Sequence, residues 1–166
     1  MEPGGGASLR LLRVNTEILT AAHREAPAPL TYPREHGGPG QTGHARPTIL
    51  VIDDDKTNLK LARYVLEADG FAVEEAIDAI AALEVLKTCS PALIVTDIQL
   101  PGMDGWELTR RLKSNFATRH IPVIAVTAYG VEGDREQAIA VGAVEYVQKP
   151  ISTTELPAII RKHLPQ

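Results

Sequence analysis

Asp53, Asp54 and Asp55 stand together directly after the apolar run 49–52, and Asp97 closes the segment LIVTD. Thr127 closes the apolar stretch that begins at Ile121, and Lys149 precedes Pro150 just after the segment VEYVQ. Three carboxylates gathered in one pocket repel each other and demand a cation. Hard oxygen ligands suit Mg2+, which keeps several waters and is satisfied by one or two carboxylates plus phosphate oxygens. Such an ion would offset the repulsion and keep Asp97 ionised as a nucleophile. Carboxylates form covalent aspartyl-phosphates, and a transferring phosphoryl group needs its equatorial oxygens stabilised. The Lys149 ammonium and the Thr127 hydroxyl are of the types that supply this. Taken singly, each signal has an ordinary alternative. Asp97 caps turns in many loops, an Asp run starts helices, Thr ends strands, and Lys-Pro pairs occur in loops. Placement of all of them at successive strand ends is what makes the pattern specific.

The elements that must position these groups follow from the apolar pattern. Leu93, Ile94 and Val95 form an unbroken run, as expected of a short strand buried on both faces of a parallel sheet. Pro101, Gly102 and Gly105 then force a loop. Residues 49–52 predict a second buried strand, 71–75 a short one, 121–126 another and 144–147 the last. Helices are predicted over 56–69 (stopped by Gly70), 79–87 (blocked by Pro91), from the N-cap Asp104 to about Asn115, over 131–141 (closed by Gly142) and from Ser152 to about Leu164. Ser152 and Glu155 have the spacing of a capping box. Five strands alternating with five helices predict an α/β fold: a doubly wound parallel sheet of flavodoxin-like type, order 2-1-3-4-5. In open sheets of this kind ligands bind outside the carboxyl ends of the strands. That edge collects Asp53, Asp54, Asp97, Thr127 and Lys149.

Composition bounds the function. The 44% hydrophobic content supports a core, and 4% aromatics make it one of Ile, Leu, Val and Ala. A net charge of −4 argues against a nucleic-acid footprint over the whole chain. The single cysteine, Cys89, allows no disulfide within one chain and no CxxC motif, consistent with a reduced, cytoplasmic setting. No run reaches the length of a membrane span, and Arg10, Arg13 and Glu17 interrupt any signal-peptide core. Two parts are expected: a flexible tail and Pro/Gly-rich linker over 1–46, and a folded domain over 47–166. Within the tail, 8–24 has the spacing of a short basic helix able to meet a partner or an anionic surface, though short isolated helices are marginal in water. His23, His36 and His44 lack metal-ligand spacing.

With ILVIDDD, IVTDIQLPGMDGWEL, AVTAY and YVQKP in view, residues 48–164 resemble a response-regulator receiver domain of two-component, phosphorelay signalling, with the CheY-like form of the flavodoxin-like fold. The wording NLKL, DIQLP, AVTA and KPIS resembles the stand-alone DivK-like type. The resemblance implies that Asp97 is the phosphoacceptor. It implies an Mg2+ site of Asp53, Asp54, Asp97 and the backbone carbonyl of Gln99, with Asp54 the direct ligand of the acidic pair. Thr127 and Lys149 would contact the phosphoryl group, Tyr146 would be the aromatic switch residue that swings with Thr127, and the Lys149-Pro150 bond would be cis. The implied partners are a histidine kinase or histidine phosphotransfer protein and a downstream protein target, with no nucleic acid and a monomer or weak homodimer. Because the sequence ends just after the last helix, output is expected through protein contacts. No small-molecule turnover is expected, only Mg2+-dependent self-phosphorylation and slow autodephosphorylation.

Ile151 departs from the Phe common after Lys-Pro in the family, with the apolar role kept. Tyr129, two residues past Thr127, is a candidate cover over the aspartyl-phosphate, or an ordinary solvent-facing Tyr. The helix from Lys56 carries more apolar residues (Leu59, Leu61, Ala62, Tyr64, Val65, Leu66) than one buried stripe needs, and the surplus is a candidate docking face for the phosphodonor. Three rivals fit less well. A phosphatase with an Asp nucleophile needs a second acid close after it, and position 99 is Gln. A flavodoxin-like cofactor binder needs a phosphate-cradling loop where Asp53–Asp55 stand. An inactive receiver-like module does not require the intact set.

Overall fold

The computed structural model describes residues 46–128 and 133–164. The expected helix over 8–24, the linker up to residue 45 with its histidines, and Tyr129 lie outside the described residues. Among the described residues, five strands alternate with five helices: β1 (Thr48–Ile52), α1 (Lys56–Ala68), β2 (Ala72–Ala76), α2 (Ala79–Val85), β3 (Leu93–Asp97), α3 (Gly105–Ser114), β4 (Val123–Thr127), α4 (Asp134–Val141), β5 (Glu145–Gln148) and α5 (Glu155–His163). All strands pair in parallel in the order β2-β1-β3-β4-β5. This is the doubly wound topology the alternation predicts.

The continuous apolar runs have a physical reason. β3 and β4 are buried at every position. Alternate residues of the central strands feed two cores. Ile49, Val51, Val95 and Val126 pack with Leu59, Leu66 and Ile160 of α1 and α5. Leu50, Ile52, Ile94 and Val123 pack with Ala82, Leu108 and Leu112 of α2 and α3. The sheet is therefore covered on both faces.

Turn chemistry fixes where the elements stop. Gly70 adopts φ +94°, its N–H donates to the Glu67 carbonyl, and Phe71 N–H donates to the Leu66 carbonyl. This αL cap closes α1 and commits Phe71 to the helix end, so β2 begins at Ala72 rather than Phe71. Pro122 has no N–H to pair, so β4 begins at Val123 rather than Ile121. Ser152 and Glu155 make both bonds of the expected capping box: Glu155 N–H donates to Ser152 Oγ at 3.1 Å and Ser152 N–H to Glu155 Oε2 at 3.3 Å.

Gly105 ends the loop and is the first residue of α3, as the Asp104 N-cap predicts. A Cβ there would lie 2.3 Å from the Asp97 carbonyl oxygen and 2.8 Å from Ile98 Cα. The helix start is pressed against the end of β3, and only glycine fits. The loop bends at Gly102, which takes φ +78°.

Candidate functional site

The parallel register sets the carboxyl tips of β1, β3 and β4 side by side. Ile52 pairs with Thr96, so Asp53 and Asp97 follow at the same level, and Asp97 pairs with Val126, one residue before Thr127. Oxygens of Asp53, Asp54 and Asp97 all lie within 4.8 Å of one another. Asp53 and Asp97 are each 6% exposed, whereas Asp54 faces solvent.

Asp53 is fully engaged. Its Oδ1 accepts the Asp55 N–H at 2.9 Å, the Asn58 side-chain amide donates to both Oδ1 and Oδ2 at 3.1 Å, and Lys149 Nζ donates to Oδ2 at 2.7 Å. Asp97 Oδ1 accepts the Gln99 N–H at 2.8 Å, and Lys149 Nζ donates to its Oδ2. Lys149 thus bridges the two buried carboxylates. Burial works against its ammonium, but the hydrogen bonds it donates to Asp53 and then Asp97 outweigh this and raise its pKa above the ordinary lysine value. Its backbone is anchored too: Lys149 N–H donates to the Thr127 carbonyl at 2.6 Å, and the Lys149-Pro150 bond is cis.

The third acid of the run does a different job. Asp55 is the N-cap of α1, and its Oδ1 accepts the Thr57 N–H at 2.7 Å, the bond that chiefly lowers its pKa. Thr127, at the tip of β4, is 3% exposed. Tyr146 lies on β5 opposite Ala125, half-buried, and its hydroxyl donates to Asp134 Oδ2 at 3.3 Å. Burial, and then the Asp134 charge, raise its pKa.

Three carboxylates against one ammonium leave the cluster at a formal −2, the charge one divalent cation offsets. The donors are hard oxygens, and opposite ligands of a Mg2+ octahedron stand about 4.2 Å apart. A separation within 4.8 Å therefore fits the ion with small movements. Exposed Asp54 is the side chain freest to make them.

Asn58 is the site residue the sequence reading missed. It sits in the first turn of α1, five residues after Asp53, and its amide reaches back to both carboxylate oxygens. The signal was an Asn one turn behind an acidic strand tip, a donor aimed at an acceptor.

Beside this cluster a cavity of about 440 Å3 opens between α1 and the segment after β5. Asp53, Asn58, Asp97 and Lys149 form its polar end, and Leu61, Val65, Ile151 and Leu156 are among its apolar walls.

A five-stranded parallel sheet in this order, with an acid cluster and a lysine at its carboxyl edge, defines a receiver-type α/β protein. The family profile of the response regulator receiver domain matches residues 49–161, and the chain belongs to that family. Its members are signalling proteins of two-component systems rather than enzymes that turn over a substrate. The chain is 38% identical over 117 residues to the polar-differentiation response regulator DivK of Brucella anthropi, an alignment covering 70% of this chain and 95% of the relative. The fold matches the receiver domain of a sensor histidine kinase from Pseudomonas aeruginosa with TM-score 0.65 and 30% identity, over 71% of this chain and 97% of the other. That protein was solved with a magnesium ion coordinated in its active site cleft. The chemotaxis response regulator CheY4 of Vibrio cholerae shares the fold at TM-score 0.67 and 22% identity, over 70% of this chain and 98% of the other. No helix among the described residues is long and apolar enough to cross a membrane.

Proposed function

We propose that this chain is a response regulator that accepts a phosphoryl group on Asp97 from the phosphohistidine of a histidine kinase or histidine phosphotransfer protein. The observation that carries the reading is the state of Asp97 itself. It is a buried carboxylate with one oxygen held by the Gln99 N–H and the other facing Lys149, inside a cluster of net charge −2.

Asp54, Asp97 and the Gln99 carbonyl are the residues that would hold Mg2+ directly, with donor-saturated Asp53 adding its charge beside them; when bound the ion supplies charge for the phosphoryl oxygens. Asp97 attacks phosphorus with a lone pair of one carboxylate oxygen, and the bond from phosphorus to the donor nitrogen breaks. Lys149 exchanges its Asp97 contact for a phosphoryl oxygen while keeping Asp53. The Thr127 hydroxyl contacts a second phosphoryl oxygen, and Tyr146 on the neighbouring strand responds to that movement. Water later hydrolyses the acyl phosphate slowly. Leu61 and Tyr64, 51% and 76% exposed on α1 beside the pocket, are the docking face for the donor. Output passes through protein contacts of a cytoplasmic monomer or weak homodimer. Residues 47–166 form the receiver unit.

The test is incubation with acetyl phosphate and Mg2+ followed by intact-mass measurement. One added phosphoryl group, absent in Asp97→Asn and without Mg2+, is expected. Unchanged mass in the wild type, or equal labelling of Asp97→Asn, overturns the assignment.

A further inference from the structure

Asp53 stands among the acids of the site, yet its lone pairs are already taken. A carboxylate offers about four of them. The Asp55 N–H and Lys149 Nζ each take one, on Oδ1 and Oδ2, and the Asn58 amide adds a contact to each oxygen. The Asn58 nitrogen is 3.1 Å from both oxygens. It therefore fills the fork of the carboxylate, the place a chelated ion would occupy. Local structure holds it there. Asp55 caps α1 and its Oδ1 accepts the Thr57 N–H at 2.7 Å, which makes Asn58 the third residue of the helix. Side chains of a helix lean towards its N-terminus, here towards the tip of β1. The next residue, buried Leu59, ties the turn to the core. Oxygens of Asp53, Asp54 and Asp97 lie within 4.8 Å of one another, so distance alone would admit Asp53 as a third carboxylate ligand. The amide on its fork is what withholds it.

We propose that Asn58 sets the choice of ion at this site: by occupying the fork of Asp53 it keeps that carboxylate out of the ion's shell and favours Mg2+ over Ca2+. Asn58 is thus a positioning residue that acts through Asp53. The proposal rests on Asp54, Asp97 and the Gln99 carbonyl being the Mg2+ ligands. The two ions make different demands. Mg2+ requires a near-ideal octahedron at about 2.1 Å, keeps several waters and is satisfied by one or two carboxylates. Ca2+ takes roughly 6–8 oxygens at about 2.3–2.6 Å and accepts carboxylates through both oxygens. A third carboxylate free to chelate therefore suits Ca2+ far better than Mg2+. The same amide keeps Asp53 turned to Lys149, whose other partner is Asp97. Holding Asp53 away from the ion thus also holds the lysine beside the phosphoacceptor.

Ion binding is measured on the full-length protein with no phosphodonor present, by NMR titration with MgCl2 and with CaCl2. The reporter is the Gln99 amide, which donates to Asp97 Oδ1. The Ca2+-to-Mg2+ affinity ratio is expected to rise roughly tenfold or more in Asn58→Ala. It is expected to rise less in Asn58→Ser, whose hydroxyl donates to one oxygen at a time. In an Asp53→Ala background, Asn58→Ala is expected to leave the ratio unchanged, because the carboxylate it would release is gone. The ratio is internal to each protein, so a general loosening of the site, which weakens both ions together, does not mimic the effect. Mg2+ binding with a ratio unmoved in both Asn58→Ala and Asn58→Ser overturns the proposal and leaves the Mg2+ ligands standing. A ratio that rises equally without the Asp53 carboxylate also overturns it. Failure of the wild type to bind Mg2+ overturns the ligand assignment, and the proposal with it.

Discussion

Gly105→Ala separates two opposite expectations. By helix propensity alone, alanine at the first residue of α3 should stabilise the protein by up to ~1 kcal/mol. The structure predicts the reverse. The new methyl would stand 2.3 Å from the Asp97 carbonyl oxygen and 2.8 Å from Ile98 Cα, whereas ordinary contact begins near 3.4 Å, so 3.4 less 2.3 leaves about 1.1 Å to be made up. Both obstacles are backbone, and neither can swing aside as a flexible side chain would. Overpacking of this kind costs ~1–3 kcal/mol, and the unyielding partner argues for the upper end. Set against the propensity gain, a net loss of ~2 kcal/mol is expected, read as a lower urea midpoint at unchanged m-value. The chemistry should suffer as well, because the displaced atoms belong to Asp97. A misplacement near 1 Å costs up to ~100-fold in rate, measured as the initial rate of acetyl phosphate labelling with Mg2+. A variant within ~0.5 kcal/mol of wild type, the range of an ordinary surface change, that also labels at the normal rate would refute the close approach of α3 to β3.

Other perturbations test separate parts of the molecule. Asn58→Ala removes the amide that donates to both oxygens of Asp53. A loss of ~1.5 kcal/mol by urea titration is expected, and a neutral result would mean Asp53 keeps its place without that amide. Mg2+ at ten times its dissociation constant should add ~1.4 kcal/mol to the unfolding free energy. The gain should be absent in Asp54→Ala, and EDTA should reverse it in the wild type. Glu145 is held at about 2, well below its ordinary 4.5, first by Lys162 and then by His163. Its folded value is the lower one, so the stability it contributes is present above about pH 4.5 and drains as pH falls towards 2. Lys162 is two-thirds exposed, which screens the pair and leaves ~1 kcal/mol at neutral pH. Glu145→Gln should therefore be ~1 kcal/mol less stable at pH 7, with the gap narrowing below about pH 4.5 and closing only near pH 2. A gap that does not narrow would point to lost packing rather than lost charge.

The fold was legible where burial is symmetric. β1, β3 and β4 read as strands because both their faces are covered, and their tips carry Asp53, Asp97 and Thr127 where the apolar runs end. Boundaries slipped where a backbone group had a local duty. The Phe71 N–H belongs to the α1 cap and Pro122 has none to give, so neither residue enters its strand. Gly105 was placed correctly after the Asp104 N-cap, but its need to be glycine depends on how near the tip of β3 comes, which only packing reveals. The acid cluster was foreseeable from strand order alone. Its division of labour was not, since Asp55 caps a helix, Asp53 is saturated by donors and Asp54 stays free at the rim. The surplus apolar residues of α1 were visible as a count, and the structure sorts them into buried Leu59 and Leu66 and exposed Leu61 and Tyr64.

The chain has one tryptophan, Trp106, and it follows the glycine whose backbone is wedged against Asp97. Its indole is therefore a built-in optical probe of this corner of the protein. Ultraviolet emission can follow events at the strand tip in real time, with no dye, label or engineered reporter.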